Sequence, residues 1–178
     1  MSTPAADISV CVGTKSACVK IRGRANFNCC LDFNALLTGL REKGYDYFLI
    51  ELTECSLMDS SFLGVLAGFG LKMSPCETET TNGARVELHN PNARVTELLE
   101  NVGVLRLFKI SHGPLALPEE LGDCEPQPAA QHSREEVTRA CLEAHEKLMA
   151  INPENVARFK DVTKFLAEDL ARLKGAKQ

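Results

Sequence analysis

Tyr47-Phe48-Leu49-Ile50-Glu51-Leu52 is the segment that most restricts how this chain can fold. A nearly continuous apolar run of that length is the pattern of a strand buried on both faces, and such a strand needs helices covering its sheet. Shortly after it, Asp59-Ser60-Ser61 opens the apolar segment Phe62 to Met73. Asp and Ser are helix-capping residue types, so the segment reads as strand, loop and helix, with two adjacent hydroxyls at the helix N-terminus. Free backbone N–H groups and the helix dipole stabilise an anion there, and a phosphorylated serine carries one covalently. Gly64, Ala67, Gly68 and Gly70 suit a helix backbone lying close to the sheet, and Pro75 limits its extension.

The flanking segments supply the rest of an α/β domain. Ile8 to Val12 and Ala17 to Ile21 are short β-branched stretches separated by Gly13-Thr14-Lys15-Ser16, the pattern of a hairpin. Cys30 to Leu40 carries apolar residues at helical spacing and ends in Lys43-Gly44, a basic last turn followed by a C-terminal glycine. Arg85 to His89 reads as a strand, Pro91 to Glu100 as a helix with proline in its first turn, and Leu105 to Ile110 as a further strand. The order β-β-α-β-α-β-α-β implies one sheet of about four to five mixed strands with helices packed on it, over residues 7–111.

Residues 112–132 change character. Pro114, Pro118, Pro126 and Pro128 fall here among acidic residues and Gly122, which reads as a linker. Ser133 with Glu136 forms a capping box for a helix bearing Val137, Cys141, Ala144 and Leu148, and Asn152-Pro153-Glu154 starts a second helix. In that helix Val156, Phe159, Thr163, Leu166, Leu170 and Leu173 draw a narrow apolar seam. Residues 133–175 are thus a helical extension. Its seam packs back on the α/β domain or forms a dimerisation or partner surface.

A net charge of -4 argues against a nucleic-acid surface and in favour of a protein partner. No stretch of about 18 consecutive apolar residues occurs, and Met1 to Asp7 has no signal-peptide pattern, so neither membrane nor export is expected and the cytoplasm is. The eight cysteines, at 11, 18, 29, 30, 55, 76, 124 and 141, are scattered and read as reduced thiols. With His89, His112, His132 and His145 they form no usual zinc spacing, so no metal is expected.

The hairpin, the helix, the strand from Phe48 to Leu52, Met58-Asp59-Ser60-Ser61 followed by Leu63-Gly64-Val65, and the later Asn90-Pro91 helix with Leu98-Leu99 before Gly103-Val104 together resemble an anti-sigma factor antagonist of the STAS family. The resemblance covers about residues 7 to 111. It implies a non-enzymatic regulator, without cofactor or metal, that binds an anti-sigma factor with serine kinase activity and so frees a sigma factor. By the family's pattern Ser60 is the phosphorylated residue; phosphorylation releases the kinase, and a serine phosphatase of the metal-dependent type restores the active form. Ser61 would cap the helix or serve as a weaker acceptor. Asp59, Ser60, Ser61, Phe62, Asn26 and Arg24 are the expected partner-binding residues.

Two positions depart from the pattern. Phe62 stands where the family usually has glycine, so its ring either turns into the core or covers Ser60. Asn26 stands where an aspartate is common, keeping hydrogen-bonding capacity without the charge. Two other functions compete with the switch. One is a constitutive scaffold or accessory subunit, assembling as a homodimer or with a partner through the C-terminal helices. The other is an enzyme using Ser60 or a cysteine, which needs a base, and no histidine lies near the serines in sequence.

Overall fold

The computed structural model describes residues 4–74, 85–115 and 121–176. Pro75, Cys76 and Pro118 lie outside the described residues. A single seven-stranded sheet is built from β1 (Asp7–Val12), β2 (Ser16–Ala25), β3 (Tyr47–Glu51), β4 (Cys55–Met58), β5 (Val86–His89), β6 (Lys109–Ser111) and β7 (Glu125–Pro126). The order along its main path is β6-β5-β3-β2-β1-β7, with β4 paired to the far end of β2. β1 is antiparallel to both β2 and β7, whereas β2 pairs in parallel with β3 and β4, and β5 in parallel with β3 and β6. The expected class, one mixed sheet with packed helices and a C-terminal helical hairpin, is the one observed, with seven strands rather than four to five.

The additional strands are short. β4 and β7 hold four and two residues, too few to show a period-two pattern. The run Leu105 to Ile110, expected as a strand, is instead a 3₁₀ turn over Leu105–Leu107 followed by β6. Within the 112–132 segment, Glu125 and Pro126 pair with Val10 and Ser9 of β1, and Cys124 forms a disulfide with Cys11. That bond corrects the expectation of reduced thiols throughout. The β1–β7 pairing brings the two cysteines together from 113 residues apart, a separation that sequence spacing does not reveal. Cys18, Cys29, Cys30, Cys55 and Cys141 are free and buried.

The helices are α1 (Cys30–Glu42), α2 (Ser60–Met73), α3 (Ala93–Asn101), α4 (Arg134–Ile151) and α5 (Asn155–Gly175). α3 and α5 each begin later than their prolines suggest. Asn92 caps α3 by accepting the Val95 N–H, and Pro153 precedes Glu154, the N-cap of α5. The capping box at Ser133 is complete: its hydroxyl accepts the Glu136 N–H at 3.2 Å and its own N–H donates to the Glu136 carboxylate at 2.7 Å.

α2 is buried on nearly every side, from Ser61 through Gly70. A helix apolar all round needs a second layer beyond its sheet. α4 supplies it, packing along α2, while α5 packs on α4. Ala144, Leu148 and Phe159 join the same hydrophobic core as the strands. The hairpin therefore packs back on the α/β domain. The α2 glycines are spent differently from expectation: a Cβ on Gly64 would lie 2.3 Å from the Ala144 carbonyl oxygen, and one on Gly68 would meet Lys147 at 2.9 Å. Gly64 and Gly68 thus admit α4, while a Cβ on Gly70 would meet the Phe108 ring, just ahead of β6, at 2.6 Å.

Candidate functional site

The site forms where β2 and β4 end side by side, because their parallel pairing delivers the loop after Ala25 and the start of α2 to one place. Asp59 ties the two together. Its carboxylate accepts the Phe62 N–H at 2.9 Å, capping α2, and the Phe27 N–H at 2.8 Å, while its own N–H donates to the Ala25 carbonyl at 2.9 Å. Both carboxylate oxygens are thus committed to backbone amides, which fixes a negative charge beside Ser60.

Ser60 is the first residue of α2 and half-buried. Its Oγ lies 2.8 Å from Nε2 of His145, reached from α4 across 85 residues of sequence. His145 Nδ1 lies 2.6 Å from the Cys141 carbonyl, which can only accept, so in the neutral ring the proton sits on Nδ1 and Nε2 accepts the Ser60 hydroxyl. The imidazole is 4% exposed and meets Phe159 edge-on with ring centroids 5.1 Å apart.

Ser61 is buried and hydrogen-bonds to Cys141. Cys30 also hydrogen-bonds to Cys141, and this contact, ahead of the one from Ser61, lowers the Cys141 thiol to about 7 against the opposing effect of burial. The Cys30 thiol moves the other way, raised first by that same hydrogen bond and then by burial. The Cys30 Sγ also lies 3.1 Å from the Phe27 carbonyl, to which its S–H donates.

Phe62 is fully buried and stacks on Phe33, ring centroids 4.5 Å apart. Its ring points into the core and does not lie over Ser60. Asn26 turns its side chain onto the Asn28 N–H at 3.0 Å, so the amide shapes the loop. Arg24 is exposed at the same edge, and it lines, with Asn26, Phe27 and Asp59, a hollow of about 280 Å³. Arg22 pairs with Glu54 at 3.2 Å on the surface.

A second cleft, of about 660 Å³, opens over Ser60 and Ser61 between the loop, α4 and α5. Phe27, Val137, Val162 and Leu166 give it apolar walls, with His132 and Arg134 at its rim. His132 pairs with Asp32 at 2.7 Å and Arg134 with Asp169 at 3.0 Å. His145 and Cys141 are the residues that sequence reasoning missed. The signal was faint: they lie four apart on the apolar face of α4, where a histidine looks like any other core position. Among the described residues no group of three or more His, Cys, Asp or Glu is arranged to hold a metal, and no helix is long and apolar enough to cross a membrane.

No protein-family model and no curated protein matches the chain. Several solved structures are similar to it. A Thermotoga maritima protein named as an anti-sigma factor antagonist is 20% identical over 57% of this chain and 83% of its own, with a TM-score of 0.49. The anti-sigma factor antagonist SpoIIAA in its unphosphorylated form is 15% identical over 61% of this chain and 89% of its own, with a TM-score of 0.46. The Bacillus cell fate determinant SpoIIAA in the phosphorylated form is 16% identical over 58% and 89%, with a TM-score of 0.45. At these identities the likeness concerns fold, and TM-scores below 0.5 assign no role to Ser60.

Proposed function

We propose that this chain is a phospho-regulated anti-sigma factor antagonist of the cytoplasm, binding an anti-sigma factor that is also a serine kinase, with Ser60 as the phosphorylated residue. The observation that carries this reading is the hydroxyl of Ser60 at the start of α2, with Phe62 turned inward beneath it. Arg24, Asn26 and the exposed Phe27 would form the neighbouring part of the partner surface, and residues 7–111 the regulatory unit. Ser61, buried against Cys141, is the poorer acceptor.

Phosphate on Ser60 adds close to two negative charges beside the fixed carboxylate of Asp59 and removes the proton that Ser60 gives His145. A partner packed on this surface then faces a charge it must desolvate or oppose. A loss of about 3 kcal/mol weakens binding more than a hundredfold, since about 1.4 kcal/mol is a factor of ten. A metal-dependent serine phosphatase would reverse the change. The test is titration of the anti-sigma kinase with wild-type and Ser60→Asp protein. A dissociation constant raised about a hundredfold supports the switch, and equal affinity removes it.

The second reading is a constitutive scaffold that assembles through its C-terminal helices. It is favoured by α4 lying over the Ser60 face and by Val156, Val162 and Phe165 of α5, which are 46%, 38% and 64% exposed. Sedimentation of wild type against Phe165→Glu separates the two, because only an assembly through α5 loses mass on that substitution.

A further inference from the structure

From the pairing of Ser60 with His145 at the floor of an apolar cleft, we infer that Ser60 is a base-activated nucleophile able to take the acyl group of a small uncharged ester. This goes beyond the phosphorylation switch and does not depend on it.

Three features converge on the same hydroxyl. First, His145 Nε2 lies 2.8 Å from Ser60 Oγ, and the Cys141 carbonyl holds the other nitrogen, so that in the neutral ring Nε2 is the accepting nitrogen. That is the arrangement by which a histidine withdraws a serine proton. Second, Ser60 and Ser61 stand at the first two positions of α2, where backbone N–H groups lack helical partners and the dipole is positive. A tetrahedral oxyanion formed on Ser60 develops beside them. Third, the cleft above admits a small molecule. Among its described lining residues His132 and Arg134 each meet a carboxylate, His132 that of Asp32 and Arg134 that of Asp169. The walls of Phe27, Val137, Val162 and Leu166 therefore favour an uncharged acyl chain over an anion.

The chemistry closes without any added oxidant or cofactor. Ser60 Oγ attacks the ester carbonyl as its proton passes to His145 Nε2. The carbon–oxygen bond to the alcohol then breaks, and the alcohol leaves with that proton. The product is an ester on Ser60, and water, deprotonated by the same nitrogen, releases the acid and restores the serine. A backbone carbonyl orients the ring here in place of a carboxylate, so the imidazolium formed in each step gains less stabilisation and turnover is slow. The fixed charge of Asp59 opposes the oxyanion and acts in the same direction.

The full-length unphosphorylated protein, treated with a fluorophosphonate bearing a short alkyl chain, tests this. Serine attack on phosphorus expels fluoride, and peptide mass spectrometry locates the adduct. The expected adduct is on Ser60, absent in Ser60→Ala, kept in Ser61→Ala, and formed about 100-fold more slowly in His145→Gln, at the low end of what a general base contributes. Circular dichroism and thermal unfolding confirm that His145→Gln is folded. No labelling of the wild type overturns the inference, as does an adduct on any other residue, or an undiminished rate in folded His145→Gln. The phosphorylation reading is scored separately by kinase binding, so either can fail alone.

Discussion

Gly64 and Ala144 meet backbone against backbone: a Cβ added to Gly64 would stand 2.3 Å from the Ala144 carbonyl oxygen. This contact lets α4 lie close enough to α2 for His145 to reach Ser60. The fold and the candidate site share one joint.

Gly64→Ala is expected to destabilise the protein by about 2–3 kcal/mol, as overpacking against backbone does, and to lower Tm by roughly 5–10 °C for a chain of this size. Gly68→Ala is the control. Its new Cβ meets only the flexible end of Lys147, and alanine gains about 1 kcal/mol of helix propensity, so the variant stays near wild-type stability. Thermal unfolding of both proteins checks the contrast.

The Cys11–Cys124 disulfide closes a long loop and pins β7 to β1. Removing a bond of this kind through Cys124→Ser is expected to cost about 2–4 kcal/mol under oxidising conditions. In excess reductant wild type and variant should unfold together. A difference that persists in reductant would locate the effect in the serine rather than in the lost cross-link.

Among the described thiols Cys141 should be the one that iodoacetamide finds first. Hydrogen bonds from Cys30 and then Ser61 lower it to about 7, and it lines the cleft, whereas burial pushes Cys18 and Cys55 up to about 11. A lowered thiol is thiolate above its pKa, so modification rises as pH increases through about 7, while Cys18 and Cys55 stay unmodified at pH 8. Peptide mapping across pH 6 to 9 reads the order directly. Ser61→Ala should move the Cys141 curve to higher pH.

What the sequence disclosed was what neighbouring residues determine. The run from Tyr47 to Leu52 contains the central β3, Asp59 caps α2, and Ser133 with Glu136 makes both bonds of its capping box, because each signal spans a few positions. The residues that were not legible depend on distant parts of the chain. Phe62 could turn either way until Phe33 of α1 supplied the ring it stacks on. His145 has no sequence mark of its proximity to Ser60, since α2 and α4 meet only through tertiary packing. The strand expected over Leu105 to Ile110 is confined to its end, as β6, because a short apolar run fits a 3₁₀ turn as well as a strand.

The central claim is that Ser60 carries the regulatory phosphate, and phosphopeptide mapping of the protein isolated from its own cells tests it most directly. The account predicts phosphate on Ser60, little or none on Ser61, and its loss in cells carrying Ser60→Ala. Phosphate on a different residue, or a protein unphosphorylated in every growth state sampled, would contradict it.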